Sequence, residues 1–379
     1  MEKIKVALIG GGGANSLFGP VHRCAINIDG TREIVAGALR SNPDKSIESA
    51  KELGIKGYPD YISMIDDIES GRLKIDYVTI VTPNNEHYKQ AMAFLKAGIP
   101  VLCEKPITIT IEEAEELKKI SEEKDIPFLL AHTYTGHPMM AFAKFLIKNY
   151  KIGKIRKIDS WYNQGWIAEL AANGGDLKKL WRTNPEIGGI SECGGDIGTH
   201  AFVTATWTTG LKVKKLSANL NSFIIGNNID DDFNVIAEMD NGAIAHINAT
   251  QIAIGYKCDN GFRIFGSKGS LEWHQEESEK LIYRNSSSTE TVYWLGNNSE
   301  NIPEYIRSYV RFALGHYDDF IEALANIHIT MERKLRRKRG EKVMLPIAHP
   351  GIEYGVEQMK FLYAAVESNK QNGAWIDIK

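Results

Sequence analysis

Apolar residues fall first in short runs separated by amphipathic stretches. Lys3 to Ile9, Glu33 to Leu39, Tyr77 to Thr82, Val101 to Cys103 and Phe128 to Ala131 read as strands. Between them, Gly19 to Ile28, Pro43 to Leu53, Asp60 to Ser70, Asn85 to Ala97 and Ile111 to Lys124 carry helical spacing, with Gly54 and Gly98 as stop signals. Such alternation predicts βαβ units and a parallel sheet. After residue 132 the pattern changes. Pro138 to Tyr150 is helical, Arg156 to Trp166 alternates and is rich in aromatics, and a long irregular stretch follows. Strand-like runs then fall at Val213–Ile224, Phe233–Met239, Ala243–Ile254, Gly261–Phe265, Ser270–His274, Leu281–Arg284 and Glu290–Leu295. Asn241-Gly242 and Ser267-Lys268-Gly269 are hairpin signals between them. Helices over Tyr309–Ile329 and Glu353–Ser368 complete the reading.

The fold class is therefore α/β. A doubly wound parallel sheet is expected over residues 1–131, and an α/β domain with a large, mostly antiparallel, open-faced sheet over residues 132–379. A length of 379 residues suits two domains. The net charge of −3 offers no electrostatic case for nucleic acid or an anionic membrane. The N-terminus has no secretory signal pattern, and no apolar run is long enough to span a bilayer. Cys24, Cys103, Cys193 and Cys258 are scattered, which argues against a disulfide framework or a metal site and fits a reducing cytoplasm. The basic run Lys334 to Arg339 reads as the solvated end of a helix or a connection between helices.

Lys105 carries the strongest chemical signal. It ends the apolar run before Glu104-Lys105-Pro106, and lysine is rare at the end of a buried strand unless something anionic or polar meets it. Open α/β sheets bind ligands at the carboxyl ends of their strands. The first strand runs into Gly10-Gly11-Gly12-Gly13, the dinucleotide-binding opening of a Rossmann-type domain. There a bare backbone approaches a pyrophosphate and a helix start supplies free N–H groups. Gly10, Gly12, Gly13, Ala14 and Asn15 are the cofactor candidates, with Asn15 where the last fingerprint glycine would fall. The second strand ends in Leu39-Arg40-Ser41-Asn42, without the acid that binds the ribose of NAD. Arg40 suits a 2′-phosphate, whereas Ser41 or Asn42 suits an unphosphorylated ribose, so NAD and NADP both remain open. Thr82, Pro83, Asn84 and His87 close the next strand, where they and Glu104 would lie beside the nicotinamide.

In the second half, Gly195-Asp196 to Thr199-His200 sets a carboxylate and an imidazole four residues apart, on one face if Asp196 opens a helix. A carboxylate there would orient the ring and raise its pKa.

Together these segments resemble the Gfo/Idh/MocA family of NAD(P)-dependent oxidoreductases, over essentially the whole chain. The matching motifs are the glycine-rich start, Thr82-Pro83-Asn84 with His87, Glu104-Lys105-Pro106, Gly195-Asp196 with His200, and the terminal Gly373-Ala374-Trp375. Phe18 to Arg23 and Trp181 to Pro185 look like the sugar, anhydrosugar and inositol dehydrogenase branch. The resemblance implies a catalytic group of Lys105, Asp196 and His200, and oxidation of a secondary alcohol on a polyol. His200 is the candidate base and Lys105 the stabiliser of the alkoxide, although a desolvated lysine could equally take the proton. Tyr134, Tyr162, Gln164, Trp166, Trp181 and Arg182 are candidate substrate contacts beside those three. Departures from the family pattern are Asn15, the missing ribose acid, and His137 where relatives often carry an aromatic. A non-catalytic NAD(P)-binding sensor is the alternative. The weakly charged outer face of the strand from Ala243 to Thr250 predicts a homodimer or homotetramer joined sheet to sheet.

Overall fold

A computed structural model describes residues 2–13, 16–224, 229–316 and 318–378, with the side chain of Lys178 left aside. The expected cofactor contacts Ala14 and Asn15 lie outside the described residues. The chain divides into two compact units: Met1–Gly136 with Phe320–Val356, and His137–Asp319 with Glu357–Lys379. The boundary read after residue 131 thus differs from the observed division, because a late helix returns to the first unit.

In the first unit, β1 (Ile4–Gly10), α1 (Phe18–Asn27), β2 (Arg32–Ala38), α2 (Pro43–Glu52), β3 (Lys56–Gly57), α3 (Tyr61–Glu69), β4 (Tyr77–Val81), α4 (Asn84–Lys96), β5 (Val101–Cys103), α5 (Ile111–Glu123) and β6 (Phe128–Leu130) follow one another. The sheet has six strands in the order β3-β2-β1-β4-β5-β6, and its pairings are parallel. The strand order reverses between β1 and β4, and that switch point is where such sheets receive ligands. Helices start where short polar side chains can accept from the free N–H groups: Asn42 caps α2, Asp60 caps α3 and Thr110 caps α5. One core cluster joins Ile4, Val6, Tyr77, Leu102 and Leu129 to Ala25 and Ile26 of α1 and to Leu324, Ile327 and Met331 of the helix Phe320–Lys338.

That helix begins later than the sequence pattern suggests, and it carries the basic run as its last turns. Arg336 is buried, donating from Nε to Glu332 at 2.8 Å and from Nη1 to Glu341 at 2.9 Å. Glu332 also takes the buried Arg32 at 2.7 Å. The run is a helix end as expected, but at Arg336 it is an internal ion network rather than a solvated face.

The second unit contains α6 (Pro138–Lys148), β7 (Ile155–Asn163), α7 (Trp166–Ala172), α8 (Pro185–Gly188) and α9 (Thr199–Thr209), the last entered through a π-helical turn at Gly194–Gly198. Strands β8 (Val213–Asn221), β9 (Asp232–Met239), β10 (Ile244–Thr250), β11 (Asp259–Gly266), β12 (Gly269–His274), β13 (Lys280–Asn285), β14 (Glu290–Trp294) and β15 (Ile376–Asp377) follow. They join β7 in a nine-stranded sheet of order β14-β13-β12-β11-β7-β10-β9-β8-β15, antiparallel except for the β7–β10 pair. Alternation sets the two faces. Ala245, Ile247 and Ala249 are buried with α9 on one side, while Ile244, His246 and Asn248 point to the other. Four short helical pieces, the π turn and α9 occupy the stretch that read as irregular, because Gly, Asn and Pro mask helical periodicity there.

Candidate active site

The glycine turn is shaped by backbone packing. Gly10 and Gly11 have φ of 79° and 75°, which favour glycine. A Cβ on Gly10 would lie 2.4 Å from the Val81 carbonyl oxygen, and one on Gly12 would lie 2.5 Å from Leu39 Cβ. A Cβ on Gly19 of α1 would sit 2.0 Å from the Gly11 oxygen. Gly19 therefore provides the close helix–strand approach that a fingerprint's last glycine usually gives, four residues beyond the position expected for it. Two turn carbonyls are drawn back by cations: Arg23 Nη1 donates to Gly11 O at 3.0 Å and Arg40 Nε to Gly12 O at 3.0 Å. The bare turn, with its carbonyls occupied and two guanidinium groups close by, fits a dinucleotide pyrophosphate.

Arg40 is half-buried, and its Nε also meets Ser49 Oγ at 2.9 Å. Ser41 is exposed. Asn42 accepts the Lys45 N–H at 3.0 Å, so its side-chain oxygen is engaged in the α2 cap.

Lys105 stands just past the carboxyl end of β5 and is only 9% exposed. Its peptide bond to Pro106 is cis. Glu104, also buried, takes the Lys105 N–H on one oxygen at 3.2 Å and lies 2.9 Å from His22 Nε2 with the other. Burial raises the Glu104 pKa, but His22, through its hydrogen bond and its charge when protonated, and then the Lys105 charge outweigh it and hold the carboxyl below its ordinary value. His22 Nδ1 lies 3.1 Å from His328 Nε2, and His328 Nδ1 lies 2.8 Å from Tyr77 Oη. Neither His22 nor His328 was singled out as a site residue in the sequence. His22 lay in a quoted motif without a role, and His328 gave no signal at all.

Asn84 opens α4, following Thr82 and Pro83. His87 is fully buried, with Nδ1 2.7 Å from the Pro106 oxygen and Nε2 2.9 Å from the Thr82 oxygen. It straps the two loops that end β4 and β5. Burial lowers its pKa despite those carbonyls. His132 is driven down to about 3 by burial and the Lys105 charge. Tyr134 is buried in the first unit with its ring centroid 5.9 Å from that of Phe320.

In the second unit Asp196 lies inside the π turn rather than opening the helix, and His200 is the second residue of α9. Asp196 Oδ1 is 3.4 Å from Arg182 Nε, and Oδ2 accepts from Gln251 Nε2 at 3.0 Å. The Arg182 guanidinium stacks 4.5 Å over the Trp181 ring. The His200 ring sits 5.8 Å from Tyr162, whose hydroxyl accepts from Gln164 at 3.1 Å. Trp166 is half-buried at the start of α7. His137 packs 5.5 Å from the Trp273 ring, and burial pushes its pKa to about 3, which keeps the ring neutral.

Sequence reasoning missed three residues here. Asp230 accepts from Ser191 Oγ at 2.9 Å, Glu192 N at 3.0 Å and Gly194 N at 2.9 Å, and so fixes the chain entering the π turn. Gln251 holds Asp196. Glu192 is buried, and desolvation with the charges of Asp196 and Asp230 raises its carboxyl pKa well above the usual value. Glu192 sits four residues before Asp196, and that spacing was the available clue.

Comparison with known proteins follows this geometry. Residues 4–132 match the GFO_IDH_MocA oxidoreductase family, NAD-binding Rossmann fold, and residues 140–272 match the GFO/IDH/MocA C-terminal domain. The crystal structure of an oxidoreductase from Sinorhizobium meliloti shares 34% identity at a TM-score of 0.87 and covers 100% of both chains. An inositol dehydrogenase homolog complexed with NAD+ from Azotobacter vinelandii shares 27% identity at a TM-score of 0.89, over 99% of this chain and 97% of that one. Levoglucosan dehydrogenase of Pseudarthrobacter phenanthrenivorans is 29% identical over 74% of this chain and 76% of its own.

Proposed function

The chain belongs to the Gfo/Idh/MocA family of NAD(P)-dependent oxidoreductases, and from that premise we propose that it reversibly oxidises a secondary alcohol of a sugar, anhydrosugar or cyclitol. The observation that carries the reading is Lys105, a buried lysine at the carboxyl end of a parallel strand, anchored through its own N–H to an ionised glutamate. The levoglucosan and inositol dehydrogenases among its relatives support the polyol class. Bound NAD(P) supplies the hydride acceptor. His200 takes the hydroxyl proton and Lys105 stabilises the developing alkoxide. Asp196, steadied by Arg182 and Gln251, orients the imidazole. Tyr134, Tyr162, Gln164, Trp166, Trp181 and Arg182 are the proposed sugar contacts, offering aromatic faces and fixed donors. Arg23 and Arg40 serve the pyrophosphate end, where Arg40 tunes the choice between NAD and NADP. Exposed Ile236 and Ile244 on the outer sheet face support a homodimer or dimer of dimers through that face, and light scattering showing a monomer at micromolar concentration would refute it. The scattered spacing of the four cysteines supports a reducing cytoplasm.

A panel of sugars, anhydrosugars and cyclitols, each with NAD and with NADP, should give a nicotinamide absorbance change for at least one polyol. Tight NADH binding without turnover of any alcohol would instead favour the non-catalytic sensor.

A further inference from the structure

Four side chains in the first unit line up behind Lys105. Tyr77 comes from β4, His328 from the helix Phe320–Lys338, His22 from α1, and Glu104 from the end of β5. The three rings are fully buried and Glu104 nearly so. Their separations of 2.8, 3.1 and 2.9 Å are all hydrogen-bond lengths. With Glu104 ionised, only one arrangement of neutral rings gives every contact a donor. The phenol donates to His328 Nδ1, His328 Nε2–H donates to His22 Nδ1, and His22 Nε2–H donates to Glu104 Oε1. In the reverse sense the phenol proton is stranded, and Glu104 faces a ring lone pair unless His22 carries a full charge or Glu104 is itself protonated.

We propose that Tyr77, His328 and His22 form a one-way, uncharged hydrogen-bond relay that keeps Glu104 ionised and rotationally fixed, and that His22 and His328 are thereby positioning residues for Lys105. The inference rests on the role given to Lys105 above. Burial pushes the Tyr77 phenol far up, so it remains a donor. Burial, with the Arg32 charge nearby, holds the His328 pKa well below its ordinary value, so its ring stays neutral. Glu104 feels His22 from α1, His87 from α4 and Lys105 from its own segment, and His132 in turn faces Lys105. Of these, His22 lies within hydrogen-bond distance of the Glu104 carboxylate, so it is the contact whose loss the carboxylate should register. The relay explains why a histidine stands in a helix core that otherwise holds Ala25 and Ile26.

The test uses the whole protein labelled with 15N in histidine and 13C in the glutamate carboxyl. Both relay histidines should show the neutral Nε2–H tautomer near pH 7.5. An Nδ1–H tautomer at His328, or a doubly protonated His22, would overturn the proposal without reference to any substrate. In His22→Leu the Glu104 titration should rise by about one pH unit or more, since a buried carboxylate has lost its donor. The acid limb of the kcat profile should follow it, with kcat down about tenfold and KM little changed. His22→Gln can donate with its amide N–H and accept with its oxygen, so it should restore both the titration and the profile. A glutamine variant as impaired as the leucine variant would show that a charged imidazolium is needed, and the uncharged relay would fall. Should His22→Leu not fold, Tyr77→Phe removes only the terminal donor and should mix the His328 tautomers; an unchanged tautomer would count against the relay. If no polyol is oxidised by the unaltered protein, the proposed activity fails while the tautomer and titration results still decide the relay.

Discussion

Glu104 in the first unit and Glu192 in the second are both buried glutamates beside a residue given a catalytic role, and their surroundings push the two carboxyls in opposite directions. Glu104 has an N–H at each oxygen and a lysine next to it. It stays ionised. No hydrogen bond of full geometry reaches either Glu192 oxygen among the described residues, and Gln251 offers only a weaker contact. Gln251 lies beside it but gives its N–H to Asp196. With burial, Asp196 and Asp230 outweighing Arg182 and the Gln251 contact, Glu192 is driven towards the neutral acid. Burial is common to the two sites. Donors and neighbouring charge decide the outcome, as expected where desolvation costs more than a bare carboxylate can recover.

The comparison breaks most visibly if Lys105, the charge that Glu104 holds, is dispensable. Lys105→Ala, and separately His200→Ala, should each lower kcat by about a hundredfold or more, on the scale of lost acid–base or alkoxide stabilisation. NADH affinity, read by fluorescence, should change little in either. Near-normal turnover on the true substrate would leave both roles without support.

A smaller effect is expected from Asp230, which anchors the chain around Glu192 without touching the reacting groups. Asp230→Ala strands two backbone N–H groups and a serine hydroxyl that now share one carboxylate. Leaving such buried donors unpaired should cost about 3 kcal/mol in the unfolding free energy. Denaturant titration reads it. A loss within error of zero would mean that water replaces the carboxylate, and that the second unit's site is more open than its burial indicates.

Five of the six parallel strands were legible because each is a short apolar run, and position alone then puts Gly10 and Lys105 at ligand-facing ends, whereas β3, only Lys56-Gly57, carries no such run. What escaped were long-range pairings. His328 meets His22 across 306 residues of chain, and no local pattern encodes that meeting. Gly19 was hidden because the fingerprint was read at fixed spacing, whereas the requirement is only that some glycine of α1 lie against Gly11. In the second unit the π turn displaced Asp196 from the helix start, because a carboxylate after two glycines reads as an N-cap whatever turn follows. Tyr309–Ile329 failed as a helix for a plainer reason. The periodic residues from Phe320 onward are real, but Val310 to Asp319 carry loop chemistry with Gly315 at φ 90°.

The finest test of the comparison is Glu192→Gln, which keeps the shape and removes the titration. A carboxyl whose folded pKa is raised stabilises fully below its unfolded value, about 4.3 for glutamate. That contribution is lost as pH rises towards the folded value. The wild-type protein should therefore lose stability relative to the glutamine variant between pH 5 and pH 8. The variant should come out ahead by about 1 kcal/mol at pH 8, with a smaller difference at pH 5, on the scale of desolvating one polar group. Urea midpoints at the two pH values read the sign directly. If Glu192 were instead an anion paired with Arg182, the variant would be the less stable protein at pH 8. The contrast with Glu104 would then disappear, because both glutamates would be ionised and donor supply would no longer separate them.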